Sequence, residues 1–348
     1  MKRFFAFALT LAMAFSLVAC GSGKTETTTP ATSEQNAPAE TPAAPASVTT
    51  MKFNTVQSAA DPKVEWYNSW MDAMAEASNG EIDFQLYLSN GLGNSEDVLE
   101  MAAMGQPVIQ DCDFSYLANY VPDFAIAMSP YLFNSPEQIE KFWQSDVGQD
   151  LCRQLEAKGL HILNIHYFGT RNVICDTKVE SRDDFSKLKL RCAATPMWNE
   201  VVRVLGATAV NTPWSETYQA LSQGVANGAE SPMGLLYSSK LYEPCKYLIR
   251  TEHLVAATTV VMSQAVYESL SDDAKKALDE VGLSFSETVI PLQKAVEVEY
   301  EQKLVEEGVE MIEIDKTPFI EEAKTTPAQP AFAEWTPGMY EKVLAAIS

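Results

Sequence analysis

Basic residues are scarce in this chain: 25 Lys and Arg stand against 47 Asp and Glu, for a formal net charge of -22. Such an acidic surface repels nucleic acid and anionic surfaces, which excludes both as charge-driven partners. Scattered surface carboxylates are screened beyond a Debye length of about 8 Å at physiological salt, so a buried cation can still attract an anion locally. Cysteine is thin too. Apart from Cys20 there are Cys112, Cys152, Cys175, Cys192 and Cys245, an odd set without a CxxC pair, which excludes a disulfide framework and leaves at least one thiol unpaired. The three histidines, His161, His166 and His253, have no paired spacing, and neither HExxH nor GxSxG occurs, so no pattern selects a hydrolase. Outside the N-terminal run, no apolar stretch approaches the roughly 20 residues that span a bilayer.

That N-terminal run is the first thing present. Met1-Lys2-Arg3 precedes an almost unbroken apolar segment ending at Val18, the charge and length pattern of a signal peptide. It closes on Leu17-Val18-Ala19-Cys20-Gly21, which resembles a bacterial lipobox and makes Cys20 the expected lipidation site. Two acyl chains, at about 0.8 kcal/mol per buried CH₂, would hold the protein on the outer face of the cytoplasmic membrane. Residues 1–20 are thus read as lipoprotein signal, and residues 21–50, rich in Thr, Ala, Pro, Glu and Ser, as a disordered tether that buries too little apolar surface to order itself. Gly21-Ser22-Gly23-Lys24-Thr25 mimics the end of a phosphate-binding loop, but the earlier glycine and the preceding strand are missing.

From Met51 onward the chain reads as globular, long enough for two lobes with their own cores. Strand signals over Met51–Val56, Ile82–Tyr87, Val108–Ile109, Leu160–Phe168 and Lys187–Ala194 interleave with helical spacing at Lys63–Ser78, Ser95–Met104, after Ser135, after Thr212 and from Ser271 to about Glu307, with Pro291 a kink or break. Ser135-Pro136-Glu137-Gln138 predicts a capping box. The alternation predicts an α/β fold with largely parallel sheets. With no linker inside residues 51–348, two lobes must be joined by crossing strands and helices.

Arg191 ends the period-two segment Leu188-Lys189-Leu190-Arg191 and, on composition alone, is one more solvated cation. Its setting is more specific. Gly169-Thr170-Arg171, Asp183-Asp184-Phe185, Leu205-Gly206-Ala207, Pro213-Trp214-Ser215-Glu216-Thr217 and Asn227-Gly228-Ala229-Glu230-Ser231-Pro232 follow in order, after Asn90-Gly91-Leu92-Gly93 and Ser129-Pro130-Tyr131-Leu132-Phe133. This series resembles the DctP-type solute-binding proteins of TRAP transporters, the lipoprotein form in this case, from about Met51 to the C-terminal helices.

The resemblance implies a two-lobed, periplasmic-binding-protein-like (type II) clamp with crossing strands and a long connecting helix. Lobe I is expected over 51–168 plus 257–296, and lobe II over 169–256 plus 297–348. It further implies a non-enzymatic binding subunit, monomeric and without cofactor or metal, that hands a small organic acid to the small and large TRAP membrane subunits. Arg191 would form a two-pronged salt bridge to the ligand carboxylate, which guanidinium geometry permits and ammonium does not. Arg171 is carried over as a second ligand-side arginine or a structural ion pair, Trp214 as an aromatic against the solute, and Asn54 and Asp111 as first-lobe pocket residues. Asp111 would favour a ligand donor and repel a second acid group. Trp198 reads as pocket wall or second-lobe core. Ser231 stands where the family often has Asn, and Asn227 where Asp is usual. An ATP-driven importer subunit or a ligand-sensing lipoprotein shares the anchor and architecture without this motif order.

Overall fold

The computed structural model describes residues 48–348; the expected signal peptide, Cys20 and nearly all of the expected tether lie outside the described residues. Nine strands form one mixed sheet: β1 (Thr49–Asn54), β2 (Ile82–Tyr87), β3 (Val108–Cys112), β4 (Leu160–Cys175), β5 (Lys189–Cys192), β6 (Thr208–Asn211), β7 (Gly228–Pro232), β8 (Tyr247–Ser263) and β9 (Glu310–Ile312). The order is β2-β1-β3-β8-β4-β7-β5-β6, with β9 on β8. β1 begins at Thr49, inside the stretch read as tether, because Thr49 and Thr50 pair in parallel with Ile82 and Asp83.

Two strands carry the architecture. β4 and β8 run 16 and 17 residues and pair antiparallel along their length, so each passes through both halves of the sheet, a reach of roughly 50 Å at about 3.3 Å per residue. β3 pairs with the Thr259–Met262 end of β8, while β7 pairs with the Arg171–Cys175 end of β4 and β9 with the Tyr247–Ile249 end of β8. The register slips between Tyr167 and Gly169. Gly169 has φ 130°, and an added Cβ would lie 2.6 Å from Pro232 Cβ and 2.7 Å from Gln293 Nε2; only glycine fits there. A second slip, between Arg171 and Val173, leaves residues 250–253 of β8 out of the ladder and turns His253 towards β7.

Helix Asp272–Glu306 spans both halves. It starts at an N-cap, Ser271 accepting from the Ala274 N–H, and continues through Pro291, where a kink or break was expected, without a break, tertiary packing holding a turn that proline leaves one hydrogen bond short. Phe285 and Val289 pack with Phe53, Tyr67 and Trp70 under β1–β3, whereas Val296, Tyr300 and Leu304 pack with Met233, Leu236 and Leu248 under β7–β8. The Glu297 carboxylate accepts from Tyr167 Oη at 2.8 Å and from the Thr170 N–H, pinning the helix on both sides of Gly169. On the opposite face a larger core runs from Phe114, Phe124 and Phe142 to Leu188, Val201 and Val343.

Two further expectations differ. The capping box at Ser135 does not form: Gln138 Oε1 accepts from the Asn134 N–H at 2.6 Å instead, and its amide nitrogen donates to Ile347 O at 3.1 Å. The C-terminal helix Met339–Ile347 packs on helices Pro136–Gln144 and Asp146–Glu156, which belong to the expected lobe I, so the chain end returns to the first half of the sheet.

Candidate ligand-binding site

β3 and β5 end at one cleft between the two halves, bordered also by β4, β7 and β8 and about 610 Å³ including the part open to solvent. Arg191 lies in it because β5 alternates: Leu190 faces the core and Arg191 the cleft, where it is only 4% exposed although Lys189, on the same face, is exposed. Its Nε and Nη2 donate to Thr212 O at 2.9 and 2.6 Å, and its guanidinium carbon lies 5.1 Å from the Trp214 ring centroid. Among the described residues it has no salt-bridge partner, and burial lowers its pKa. A buried cation without a counter-ion calls for an anion.

Arg171 is different. Its Nε donates to Glu230 Oε2 at 2.5 Å and its Nη2 to Glu230 Oε1 at 2.8 Å, with a third bond from Nη2 to Glu230 O at 3.2 Å. His253 Nε2 lies 3.2 Å from Glu230 Oε2, and His253 Nδ1 lies 2.8 Å from Thr251 Oγ1. Burial works to raise Glu230, but Arg171 and His253 outweigh it and hold the carboxyl below its ordinary range. Burial lowers His253, against the pull of Glu230. The Arg171 plane also stacks on Trp198, 4.5 Å from the ring centroid. Arg171 therefore lines the cleft with its charge already matched.

Asp111 lines the cleft but already accepts three hydroxyl bonds: Thr258 donates to Oδ1 at 2.6 Å, and Thr55 and Tyr67 donate to Oδ2 at 2.7 and 2.9 Å. Burial raises its pKa against those bonds. Asn54 does not reach the cleft lining. It donates to Gly93 O and Gln110 Oε1 at 3.0 and 2.8 Å and accepts from the Leu92 N–H at 3.1 Å, shaping the loop at the rim. Ser231 is also outside the lining, because the period-two alternation of β7 that turns Glu230 inward turns Ser231 away; its buried Oγ has no hydrogen-bond partner. Asn227 braces β5, accepting from the Lys189 N–H at 2.7 Å. Trp214 lines the cleft and donates from Nε1 to Ser239 Oγ at 3.2 Å.

Several lining residues were not singled out by sequence, among them Asp113, Tyr116, Phe168 and Glu230. Asp113, two residues beyond Asp111, accepts from the Ser115 N–H at 2.8 Å and from Trp198 Nε1 at 3.1 Å, the latter bond crossing between the two halves of the sheet. Tyr116 and Phe168 form part of the wall, and burial pushes the Tyr116 hydroxyl up. Alternation in β7 could have flagged Glu230; nothing local distinguishes Asp113 from an ordinary helix cap. Among the described residues no cluster of His, Cys, Asp and Glu could hold a metal ion.

A cleft between two sheet halves, crossed by two long strands and holding an unmatched arginine, invites comparison with known clamps. The model of the bacterial extracellular solute-binding proteins, family 7 (DctP), matches residues 53–333. The chain belongs to this family. Its relatives include the sialic acid-binding periplasmic protein SiaP of Vibrio cholerae, 28% identical over 78% of this chain and 85% of that protein. The C4-dicarboxylate-binding periplasmic protein DctP of Rhodobacter capsulatus is also 28% identical, over 66% of this chain and 69% of that one. Among solved structures, a TRAP periplasmic solute-binding protein from Ochrobacterium anthropi with bound L-fuconate superimposes with a TM-score of 0.83, at 31% identity over 86% of this chain and all of that one. This family 7 protein is a TRAP solute-binding protein of two-lobed α/β architecture, which sets the ATP-driven importer aside.

Proposed function

We propose that this TRAP solute-binding protein captures a small organic acid through a salt bridge between the ligand carboxylate and Arg191, and delivers it to the small and large membrane subunits of its transporter. The observation that carries this is the buried, unmatched guanidinium: Thr212 fixes its orientation, leaving Nη1 and the second Nη2 hydrogen for two parallel bonds to a carboxylate. The relatives' ligands, sialic acid and L-fuconate, are acids. Residues 51–168 with 257–296 form one jaw and 169–256 with 297 onward most of the other. They close about the register slip at Gly169, with ligand favouring the closed form through its greater affinity for it. Cys20 anchors the chain by lipid on the outer face of the cytoplasmic membrane, residues 21–47 tether it, and it acts as a monomer without catalysis.

Calorimetry with the acids that co-purify with the protein, identified by mass spectrometry after denaturation, tests the clamp. Arg191→Ala should lose roughly 2 to 5 kcal/mol of binding energy, because the carboxylate is then buried unpaired. Arg191→Lys should recover little of it, since a single ammonium cannot make the paired bonds. Unchanged affinity in both variants would sink the Arg191 anchor. Loss of membrane association in Cys20→Ser tests the lipid.

A further inference from the structure

The cleft holds more acid than its one free arginine suggests. Five ionisable side chains of fixed sign line it: Arg171 and Arg191 against Asp111, Asp113 and Glu230. Glu230 cancels Arg171 at bidentate distance. Asp111 is spent on three hydroxyl donors. Asp113 lines the cleft and accepts one bond on each oxygen, which leaves acceptor capacity on both. A ligand seated on Arg191 thus meets one unmatched positive charge and then a wall that carries the Asp113 carboxylate. A second anionic group on the ligand would find no unmatched cation, only Arg171 already paired with Glu230, and at least one like charge in a poorly screened cleft, where like charges repel strongly.

Hydrogen-bond capacity is equally limited. Once the internal bonds are made, the free donors are the outer edge of Arg191, Nη1 of Arg171 and the hydroxyl of Tyr116; Ser95 accepts from Gln110 Nε2 at 3.2 Å and offers one hydroxyl hydrogen. The rest of the wall is Val56, Met128, Phe168, Trp198, Trp214 and Leu235, with small alanines between them. The two indole N–H groups are committed to Asp113 and Ser239, so the tryptophans present hydrocarbon. A polyhydroxylated acid would strand several hydroxyls against this wall, each at a loss of roughly tenfold in affinity.

We infer that the cleft selects a singly charged carboxylate with a largely apolar, flat or branched body, and discriminates against dicarboxylates, through Asp113, and against polyhydroxylated acids, through its apolar wall. The inference rests on the Arg191 anchor proposed above and goes beyond it by assigning the ligand's other end. It separates this protein from the relatives that bind a C4-dicarboxylate or L-fuconate. Asp113 becomes a specificity residue, and a hydroxyl, oxo-acid enol or amine on the ligand beside it is tolerated as a donor.

Ligand-free protein titrated calorimetrically with 4-methyl-2-oxopentanoate, phenylacetate, succinate and D-gluconate tests this. One of the first two should bind at least about tenfold more tightly than succinate or gluconate. Asp113→Asn, which removes the charge, keeps one oxygen for the Ser115 cap and gives up the bond from Trp198 Nε1, should narrow the gap for succinate by about tenfold and leave the gluconate gap in place. The ranking in the unaltered protein decides the matter even where that variant fails to fold. Succinate or gluconate binding best, with binding abolished by Arg191→Ala, overturns the specificity and leaves the anchor standing; binding indifferent to Arg191→Ala overturns both. Absence of binding by all four acids likewise counts against the apolar-body assignment.

Discussion

Glu230 and Arg171 show how a side chain can stand in a site without being offered to the ligand. Two arginines reach the same cleft, and the difference between them is whether a carboxylate already sits at bidentate distance. The motif order located both, but pairing depends on β7 lying beside β4, a contact between residues 59 apart in sequence that no local pattern encodes. Asp111 was expected as the group beside the ligand; the acid with fewer internal bonds is Asp113, because Thr55, Tyr67 and Thr258 come from distant segments to bond Asp111. Removing the internal counter-charge should be costly. Glu230→Gln leaves the Arg171 guanidinium buried without its anion, and urea denaturation should show a loss of about 3 kcal/mol or more. Stability equal to the parent protein would mean that water reaches this arginine and that the pair is not a buried one.

Among the elements, those set by local periodicity were readable: β2 and helix Lys63–Ala77 fall where alternation and helical spacing put them. The crossing strands were not. Leu160–Phe168 read as a strand, yet β4 continues through Gly169 to Cys175. β8 went unread although Val255 to Met262 is rich in β-branched residues, since a strand buried on both faces lacks alternation. Glycine ends a strand by default; at position 169 it serves a bulge where Pro232 and Gln293 leave no room for a Cβ. Gly169→Ala combines left-handed backbone strain with that clash. It should cost on the order of 2 kcal/mol or more in urea denaturation, and small-angle scattering of the ligand-free variant should show altered separation of the lobes. Unchanged stability and scattering would remove Gly169 from the hinge.

At the scale of the whole molecule, acidity and burial meet beneath the cleft. His166 is enclosed by Tyr67 and Phe285 and pairs through Nδ1 with Asn164 Oδ1 at 2.8 Å. Burial first, and the Lys63 ammonium second, push its pKa down from 6.5 to about 3. The unfolded chain therefore binds a proton that the folded one refuses. The stability tied to His166 is complete above pH 6.5 and drains away as pH falls towards about 3, by up to about 1.4 kcal/mol per pH unit. His166→Phe should flatten that part of the pH dependence of urea midpoints; an unaltered slope would place the acid sensitivity elsewhere.

The route of the chain between the two halves of the sheet has a consequence for the order of events in folding. Strands β1 to β3 wait for the far end of β8 before their sheet is closed, and helices Pro136–Gln144 and Asp146–Glu156 wait for Met339–Ile347. A chain emerging N-terminus first thus has no half that it can finish early. Its apolar strands stay uncovered until nearly the last residue has arrived, so the interval between first and last residue is when it needs protection from aggregation.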